Sequence, residues 1–282
     1  MPEGDTVFAT ATRLHAALAG RTVIHSDFRV ARLATVDLAG RLVEEVRSRG
    51  KHLLVRIGGG LTVHTHLRMD GRWSLCRPGE RWRGGPGWQV RLVLGTAEWI
   101  AVGYRLPVIE LWRTADEGTH LGHLGPDPLA PDWDAAEALR RLLARPERAI
   151  GEALLDQRVI AGPGNVWKSE LCFLRGLDPW TPVGAIRDPA GLIALLVRLF
   201  DANRTTGMHV TTGDARRGHR HWVYGRAGAP CRRCSTPIRV VEPRHPERVT
   251  FWCPSCQPAS RPAPVVEPPA PWHTDGGARR PR

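Results

Sequence analysis

Two closely spaced cysteine pairs constrain the fold of this chain more than any other feature of its sequence. Cys231 and Cys234 form one C-x-x-C pair, and Cys253 and Cys256 form a second after eighteen intervening residues. Four thiolates at this spacing match a closed tetrahedral zinc site, which supplies folding energy to a module with little core of its own. We therefore predict one structural Zn²⁺ bound by these four cysteines. A redox-active dithiol is the weaker alternative, because both pairs lie in one short segment.

The charge balance favours a polyanionic partner. The 282 residues include 40 Lys and Arg against 28 Asp and Glu, a net charge of +12. Such an excess is typical of proteins that bind nucleic acid. A codon bias towards arginine is the alternative explanation, since Lys51 and Lys168 are the only lysines. No apolar run approaches membrane-spanning length and no signal peptide is recognisable, so we expect a cytoplasmic protein without a membrane partner.

The spacing of apolar residues changes along the chain and predicts an α+β fold. A helix is expected from the N-terminus to Gly20, and short strands between glycine-rich turns extend to about Trp112. Further helices are predicted near 134–143, 150–157, 165–174 and 189–203. We divide the chain into a β-sandwich with a leading helix (1–120), a linker (121–131), a helical domain (132–229), a zinc-finger hairpin (230–257) and a disordered Pro-rich tail (258–282).

The N-terminus carries a candidate nucleophile. Removal of Met1, which is usual before a small residue, would leave Pro2 with a free secondary amine, and α-amino groups titrate near pH ~8. Such an amine can attack a sugar aldehyde carbon to give an iminium ion, and the carboxyl group of Glu3 is an adjacent proton donor. The alternative is an ordinary chain end before a helix, which this segment alone does not exclude.

A glycine-rich turn is a candidate phosphate-binding site. Residues 161–164 read Ala-Gly-Pro-Gly, and a predicted helix begins at Asn165. Glycines allow the backbone to approach a ligand closely, and a helix N-terminus favours an anion. Asn165 could cap this helix or donate its amide to a phosphate oxygen. Alone, the pattern is usually just a turn and a helix cap, although a capping role of Asn165 does not exclude the phosphate contact.

Taken in order, several segments resemble the formamidopyrimidine-DNA glycosylase/endonuclease VIII family of base-excision repair enzymes. They are residues 1–4, 49–53, 66–71 and 156–165 together with the four-cysteine finger. The resemblance covers roughly residues 1–257. It implies that the helical domain contains a helix–two-turns–helix motif and that damaged DNA lies in the cleft between this domain and the β-sandwich.

The resemblance implies catalytic roles for four residues. Pro2 would attack C1′ of the damaged nucleotide and form a Schiff base, and Glu3 would protonate the sugar ring oxygen. Lys51 would act near the phosphates during base excision. Arg248 would hold a phosphate and assist the final δ-elimination. The chemistry needs no catalytic metal, so the zinc is expected to be structural only.

The resemblance also implies five DNA contacts. His66 and Asn165 would hold phosphates that flank the lesion. Met69, next to Arg68 in an exposed loop, would enter the base stack when the nucleotide flips out. A core methionine, a plain strand histidine and, for His64 and His66, a metal site are the alternatives. His123 stands where endonuclease VIII carries an arginine near the linker, so this contact departs from the family pattern.

Two further departures predict the subtype. Residues 104–111 lack the Arg-Arg-Phe-Gly loop of the formamidopyrimidine branch, which favours oxidised pyrimidines as substrates. Residues 1–7 and 222–228 resemble the second endonuclease VIII-like group of actinobacteria. We therefore predict a monomeric, bifunctional glycosylase and abasic-site lyase that nicks DNA by β,δ-elimination, with duplex, single-stranded and bubble DNA left open. The alternatives are a catalytically silent binder of damaged DNA or DNA ends on the same scaffold, and a zinc-ribbon nucleic-acid or ribosome-associated module.

Overall fold

The computed structural model describes residues 2–241 and 249–258 of the chain. Its first part consists of a helix and two antiparallel sheets. The elements are α1 (Gly4–Leu18), β1 (His25–Phe28), β2 (Val43–Arg49), β3 (His52–Ile57), β4 (Leu61–His66), β5 (Arg72–Cys76), β6 (Val90–Gly95), β7 (Ile100–Tyr104) and β8 (Val108–Arg113).

The two sheets form the predicted β-sandwich, which is therefore confirmed together with its leading helix. One sheet has the strand order β2-β3-β4-β8 and the other β1-β6-β7-β5. Val55 and Val63 from the first sheet meet Leu92 and Ala101 from the second in one buried core. Helix α1 adds its apolar face to this core, with Leu14 1% exposed. This packing fixes the position of the N-terminus, which enters α1 directly.

The second part of the chain is helical and ends in a small hairpin. Its elements are α2 (Glu117–Leu121), α3 (Ala135–Leu143), α4 (Ile150–Leu155), α5 (Asn165–Leu174), α6 (Pro189–Asn203), β9 (Arg239–Val241) and β10 (Thr250–Trp252). The side chains of Asp134 and Asp188 cap α3 and α6, which explains why these starts could be predicted. Helix α4 ends two residues before the predicted end because Asp156 leaves the helical conformation.

A second core holds the helices together and is separate from that of the sandwich. It includes Trp167 and Leu171 of α5 and Leu196 and Phe200 of α6, each fully buried. Helix α1 also contacts α6, so the N-terminal segment lies against both parts of the molecule. None of the helices in the described part of the chain is long and apolar enough to cross a bilayer.

The segment predicted as a linker is anchored to the sandwich. Asp127 is 3% exposed, and its carboxylate accepts hydrogen bonds from the backbone N–H groups of Gly50 (2.6 Å) and Leu129 (3.0 Å). Gly50 has φ +56°, a conformation that favours glycine. The buried contact holds the turn before Lys51 against residues 125–128. The predicted tail lies outside the described residues except for Pro258.

Candidate active site

A cavity of about 910 Å³ lies between the β-sandwich and the helical part. Its walls combine the N-terminus, the cleft ends of β3, β4 and β8, and the turn before α5. Seven of the nine predicted catalytic and DNA-binding residues line it. They are Pro2, Glu3, Lys51, His66, Arg68, Met69 and Asn165. The fold thus brings together residues from three distant parts of the sequence.

Glu3 lies at the start of α5, fully buried. Its carboxylate accepts hydrogen bonds from the backbone N–H groups of Gly164 (2.6 Å), Val166 (2.8 Å) and Trp167 (3.4 Å). These N–H groups are the ones that a helix leaves without intrahelical partners, and the helix dipole favours a negative charge there. A Cβ atom at Gly164 would come within 2.6 Å of the Glu3 carboxyl carbon, so only glycine fits. The predicted anion site of this helix start is therefore occupied by a carboxylate of the chain itself.

The glycine-rich turn also positions Lys51 and the N-terminal segment. Nζ of Lys51 donates to the carbonyl oxygen of Pro163 at 2.7 Å. The side chain of Gln157 donates to the same carbonyl (2.8 Å) and accepts from the N–H group of Gly162 (2.9 Å). The N–H group of Gly4 donates to the carbonyl of Gly162 at 3.0 Å. One turn therefore fixes the lysine, the start of α1 and the carboxylate relative to one another.

Asn165 lines the cavity, and Tyr224 lies beside it. Asn165 is 6% exposed, and its amide oxygen has no hydrogen-bond partner among the described residues. Burial raises the pKa of the Tyr224 hydroxyl, the Glu3 carboxylate nearby raises it further, and a hydrogen bond with Asn165 opposes both effects. Tyr224 thus stands close to both predicted site residues. From sequence, residues 222–228 served only to assign the subtype, and Tyr224 received no role of its own.

The loop between β4 and β5 holds the other predicted contacts. His66 ends β4, and its Nδ1 accepts a hydrogen bond from the N–H group of Arg68 at 3.0 Å. Arg68 has φ +46°, which turns the chain sharply and presents the next side chain to the cavity. That side chain is Met69, which is 55% exposed, so a core methionine is excluded. An exposed methionine beside an arginine is suited to contact stacked bases.

The two remaining predicted residues are placed differently. Arg248 lies outside the described residues. Its described neighbours Val249 and Thr250 are bound by the ammonium group of Lys168, which donates to the Val249 carbonyl (3.1 Å) and the Thr250 hydroxyl (2.8 Å). His123 follows α2, is exposed, and is not among the described residues that line the cavity.

The four cysteines of the hairpin form a compact cluster. The sulfur atoms of Cys231 and Cys256 are 3.9 Å apart, those of Cys234 and Cys253 are 3.5 Å apart, and all four lie within 4.8 Å of one another. Zn–S bonds of about 2.3 Å in tetrahedral geometry place sulfurs about 3.8 Å apart. Four soft donors at this separation therefore fit a zinc ion with no open coordination position.

A hydrogen-bonded chain from His52 through His64 to Glu110, which the sequence did not identify, also lines the cavity. Nδ1 of His52 lies 2.9 Å from Nε2 of His64, and Nδ1 of His64 lies 3.0 Å from a carboxylate oxygen of Glu110. Burial lowers the pKa of His64 and lowers that of His52 to about 3, and in His52 the neighbouring basic side chains of His64, His66, His123 and Lys51 lower it further. Burial also lowers the pKa of His66 to about 4. The rings are therefore neutral near pH 7.

This neutral cluster predicts acid sensitivity. Histidine has a pKa of about 6.5 in an unfolded chain. Because the folded values are lower, the unfolded state binds more protons below that pH, and stability is lost as the pH falls from 6.5 towards 4. A fully buried neutral histidine contributes up to about 1.4 kcal/mol per pH unit, and partial exposure of His52 and His66 reduces this. We expect the thermal midpoint to fall over this range and to fall less steeply in His66→Gln.

His25, exposed on β1 away from the cavity, supplies the matched control, and its glutamine variant should retain the wild-type pH dependence. Thermal unfolding measured from pH 7 to pH 4 tests this. Equal slopes for the wild type and His66→Gln would show that the ring is not held neutral by burial.

Two buried carboxylates that the sequence did not single out hold the loop after α6. The Glu170 carboxylate accepts from the hydroxyl of Thr211 and from the backbone N–H groups of Trp222 (2.8 Å), Val223 (2.9 Å) and Tyr224 (2.8 Å). Asp5, fully buried, lies 2.7 Å from Nδ1 of His209 and accepts from the indole of Trp167. These bonds place Tyr224 beside Asn165 and Glu3.

Comparison with known proteins identifies two domain families in this chain. Residues 1–105 match the formamidopyrimidine-DNA glycosylase N-terminal domain, and residues 124–194 match the formamidopyrimidine-DNA glycosylase H2TH domain. The chain is 58% identical over 268 residues to a protein of Streptomyces coelicolor named "Probable endonuclease 8 2", with 93% of this chain and 96% of that protein covered.

A second relative carries a more specific name. The chain is 47% identical over 260 residues to the DNA-(apurinic or apyrimidinic site) lyase Nei2 of Mycolicibacterium smegmatis, with 92% of this chain and 100% of the relative covered. Among solved structures, a Lactococcus lactis Fpg (MutM) bound to DNA that contains N7-benzyl-Fapy-dG superimposes with a TM-score of 0.75 at 23% identity, with 92% and 100% of the two chains covered. That likeness shows a common fold.

Proposed function

Given that this chain belongs to the formamidopyrimidine-DNA glycosylase/endonuclease VIII family of DNA glycosylases and abasic-site lyases, we propose that it removes oxidised pyrimidines from DNA through an N-terminal proline Schiff base. The proposal includes strand cleavage by β,δ-elimination. All the groups it uses come from one chain, so we propose that the enzyme acts as a monomer.

One observation carries the proposal. Pro2, Glu3 and Lys51 line a single cavity, with the Glu3 carboxylate and the Lys51 ammonium both bound to the turn 163–164. An amine nucleophile, a carboxyl group and a lysine held by one rigid turn form a site suited to covalent catalysis. Held this way, the three groups need little reorganisation when a sugar enters the cavity.

The geometry supports a sequence of steps. The nitrogen of Pro2 attacks C1′ of the lesion nucleotide as the damaged base departs with the electron pair of the glycosidic bond. The proton that the Pro2 nitrogen loses passes to the Glu3 carboxylate, which then gives it to the ring oxygen, and the ring opens to an iminium ion between Pro2 and C1′. Lys51 stabilises the negative charge of the adjacent phosphate. β-Elimination then breaks the bond to the 3′ phosphate, and δ-elimination with Arg248 releases the 5′ phosphate.

DNA contacts follow from the cavity rim. Nδ1 of His66 accepts from the backbone, so the neutral ring carries its proton on Nε2 and can donate to a phosphate oxygen. The amide of Asn165 lies at the start of α5, in the same cavity. Arg68 and Met69 stand exposed at the rim, where Met69 would fill the space left by an extruded nucleotide. His123, which is exposed after α2, would contact the DNA outside the cavity.

A zinc ion completes the hairpin in this proposal. Cys231, Cys234, Cys253 and Cys256 would bind it, and the ion supplies structural stability to a module with a small core. The chemistry at Pro2 uses no metal. Through Lys168, the folded hairpin would hold the residues that follow Arg248 against α5.

The choice of oxidised pyrimidines rests on two features. The stretch 104–111 lacks the Arg-Arg-Phe-Gly loop that supplies two void-filling side chains in the formamidopyrimidine branch. The relatives with 58% and 47% identity carry endonuclease 8 and abasic-site lyase names. Both features favour the endonuclease VIII side of the family.

Borohydride trapping tests the proposal directly. Protein with a native, untagged N-terminus is incubated with DNA that carries either an abasic site or 5-hydroxyuracil, and borohydride reduces any imine to a stable adduct. We expect adducts on both substrates. An adduct on the abasic site alone would retain the lyase and contradict the pyrimidine assignment. No adduct on either would favour the catalytically silent DNA-binding alternative.

A further inference from the structure

The histidine chain at the cavity has one consistent arrangement of protons. An ionised Glu110 carboxylate can only accept, so Nδ1 of His64 must donate to it. Burial lowers the pKa of His64 and keeps this ring neutral, so its Nε2 has no proton and accepts. Nδ1 of His52 must then be the donor across the 2.9 Å contact. The neutral His52 ring is left with an unprotonated Nε2.

The stacking of rings holds this arrangement in place. His64 is 3% exposed and lies between two aromatic neighbours: its ring centroid is 5.1 Å from that of His52 and 4.1 Å from that of Trp112, nearly parallel to the latter. The ring of His120 stacks on the other face of Trp112 at 4.1 Å. Because the column cannot easily rotate, the tautomer and the direction of His52 are set before substrate binds.

His52 differs from the other polar groups of the cavity because it presents an unoccupied hydrogen-bond acceptor. His66 and Lys51 present donors, since Nδ1 of His66 is already occupied by the Arg68 N–H group. The carboxylate of Glu3 is taken by three backbone N–H groups. Nε2 of His52, by contrast, has no hydrogen-bond partner among the described residues. It is a base with an open lone pair in the cavity that Pro2 also lines.

We propose that Nε2 of His52 is the base that removes the C2′ proton during β-elimination, with His64 and Glu110 as its positioning residues; this rests on the proposed Schiff-base function. In the step, the C2′–H bond breaks and its proton passes to Nε2. The electron pair forms a C1′=C2′ double bond, and the iminium nitrogen of Pro2 becomes neutral. The enamine then reforms the iminium as the C3′–O bond breaks and the 3′ phosphate leaves with its electron pair.

The surroundings suit a base that is neutral at rest and charged only during the step. The groups facing His52 are Lys51 at the start of its own strand, His64 and His66 on β4, and His123 after α2. Together with burial they keep the free ring neutral, so the Nε2 lone pair is present before substrate binds. The imidazolium that forms is stabilised through His64 by the negative charge of Glu110, and DNA phosphates in the cleft add to this.

The test compares two reactions of one substrate, DNA with a preformed abasic site. Schiff-base formation is measured by borohydride trapping, and β-elimination by strand nicking in single turnover. For His52→Gln we expect trapping within about twofold of wild type and nicking slowed on the order of a hundredfold, as for loss of a general base. Deuterium at C2′ should slow nicking further in this variant. Glu110→Gln should give an intermediate loss of nicking, of about tenfold, because the amide weakens the support of the imidazolium.

His25→Gln is the matched control, because this histidine is exposed on β1 and does not line the cavity. It should leave both rates unchanged. Nicking by His52→Gln at the wild-type rate, with normal trapping, would overturn the inference alone. Loss of trapping and nicking together in His52→Gln would also overturn it, since the ring would then serve an earlier step or the fold. Absence of trapping by the wild type would overturn the proposed function itself.

Discussion

Replacing Pro2 by glycine is expected to reduce Schiff-base trapping on abasic DNA on the order of a hundredfold or more, while DNA binding is retained. Glycine leaves a primary amine whose position is less restricted, so residual activity is expected. A protein with one extra residue before Pro2 has no free amine at this position and should form no adduct. Borohydride trapping and a binding titration on the same DNA separate the two effects.

The variant should fold, because the contacts that place the N-terminus do not involve the proline ring. The N–H group of Gly4 donates to the carbonyl of Gly162, and the Glu3 carboxylate binds the start of α5. Pro86→Gly, in an exposed loop outside the cavity, is a matched control for the loss of a proline and should trap normally. Normal trapping by protein with a blocked N-terminus would refute the Schiff-base mechanism.

Local sequence patterns were sufficient to predict those elements whose structure is determined by neighbouring residues. Helices α5 and α6 have the predicted bounds because a glycine-rich turn precedes one and an aspartate with a following proline precedes the other. The cysteine pairs likewise predicted a cluster whose sulfur separations suit zinc. In each case the residues that form the sequence pattern also make the contacts that determine the structure.

The partner of Glu3 could not be deduced in this way. Its carboxylate binds N–H groups 161 to 164 residues further along the chain. The sequence therefore presented the glycine-rich turn as a site for a phosphate, whereas the fold fills the helix start with Glu3 and leaves the amide of Asn165 at the cavity edge.

The histidine chain escaped detection for a related reason. His52 and His64 are twelve residues apart, and Glu110 follows 46 residues after His64. Only the pairing of β3 with β4 and of β4 with β8, in which His64 is opposite Glu110, brings them together. From sequence, His64 and His66 resembled an incomplete metal site, but the first ring belongs to a hydrogen-bonded relay and the second to the cavity rim.

The second large effect is expected at the hairpin, where Cys234→Ser should remove bound metal. Wild-type protein should contain one zinc per chain, and the variant should contain none, because a serine hydroxyl replaces one of four thiolates. The core of the module is small, and its buried hydrophobic residues other than cysteine are Phe173, Val223 and Ile238. The hairpin should therefore unfold when the metal is lost. Metal analysis and thermal unfolding measure both outcomes.

Cys76→Ser is the matched control, since this cysteine lies in β5, far from the cluster in sequence and in another part of the fold. It should retain one zinc per chain. A full zinc content in Cys234→Ser would contradict the four-cysteine site.

Loss of the hairpin should also separate the late step of the reaction from the early ones. Lys168 connects Val249 and Thr250 to α5, so a folded hairpin holds the segment that follows Arg248 against the helix whose start lines the cavity. The contacts that place Pro2 and Glu3 are made by α1 and the turn before α5, which do not depend on the cysteines.

We therefore expect Cys234→Ser to bind DNA about tenfold or more weakly, as for loss of at least one phosphate contact. At saturating protein it should still form the Schiff base, and its products should shift from δ-elimination to β-elimination, which gel analysis of the 3′ ends distinguishes. An unchanged ratio of the two products would show that the hairpin contributes binding alone.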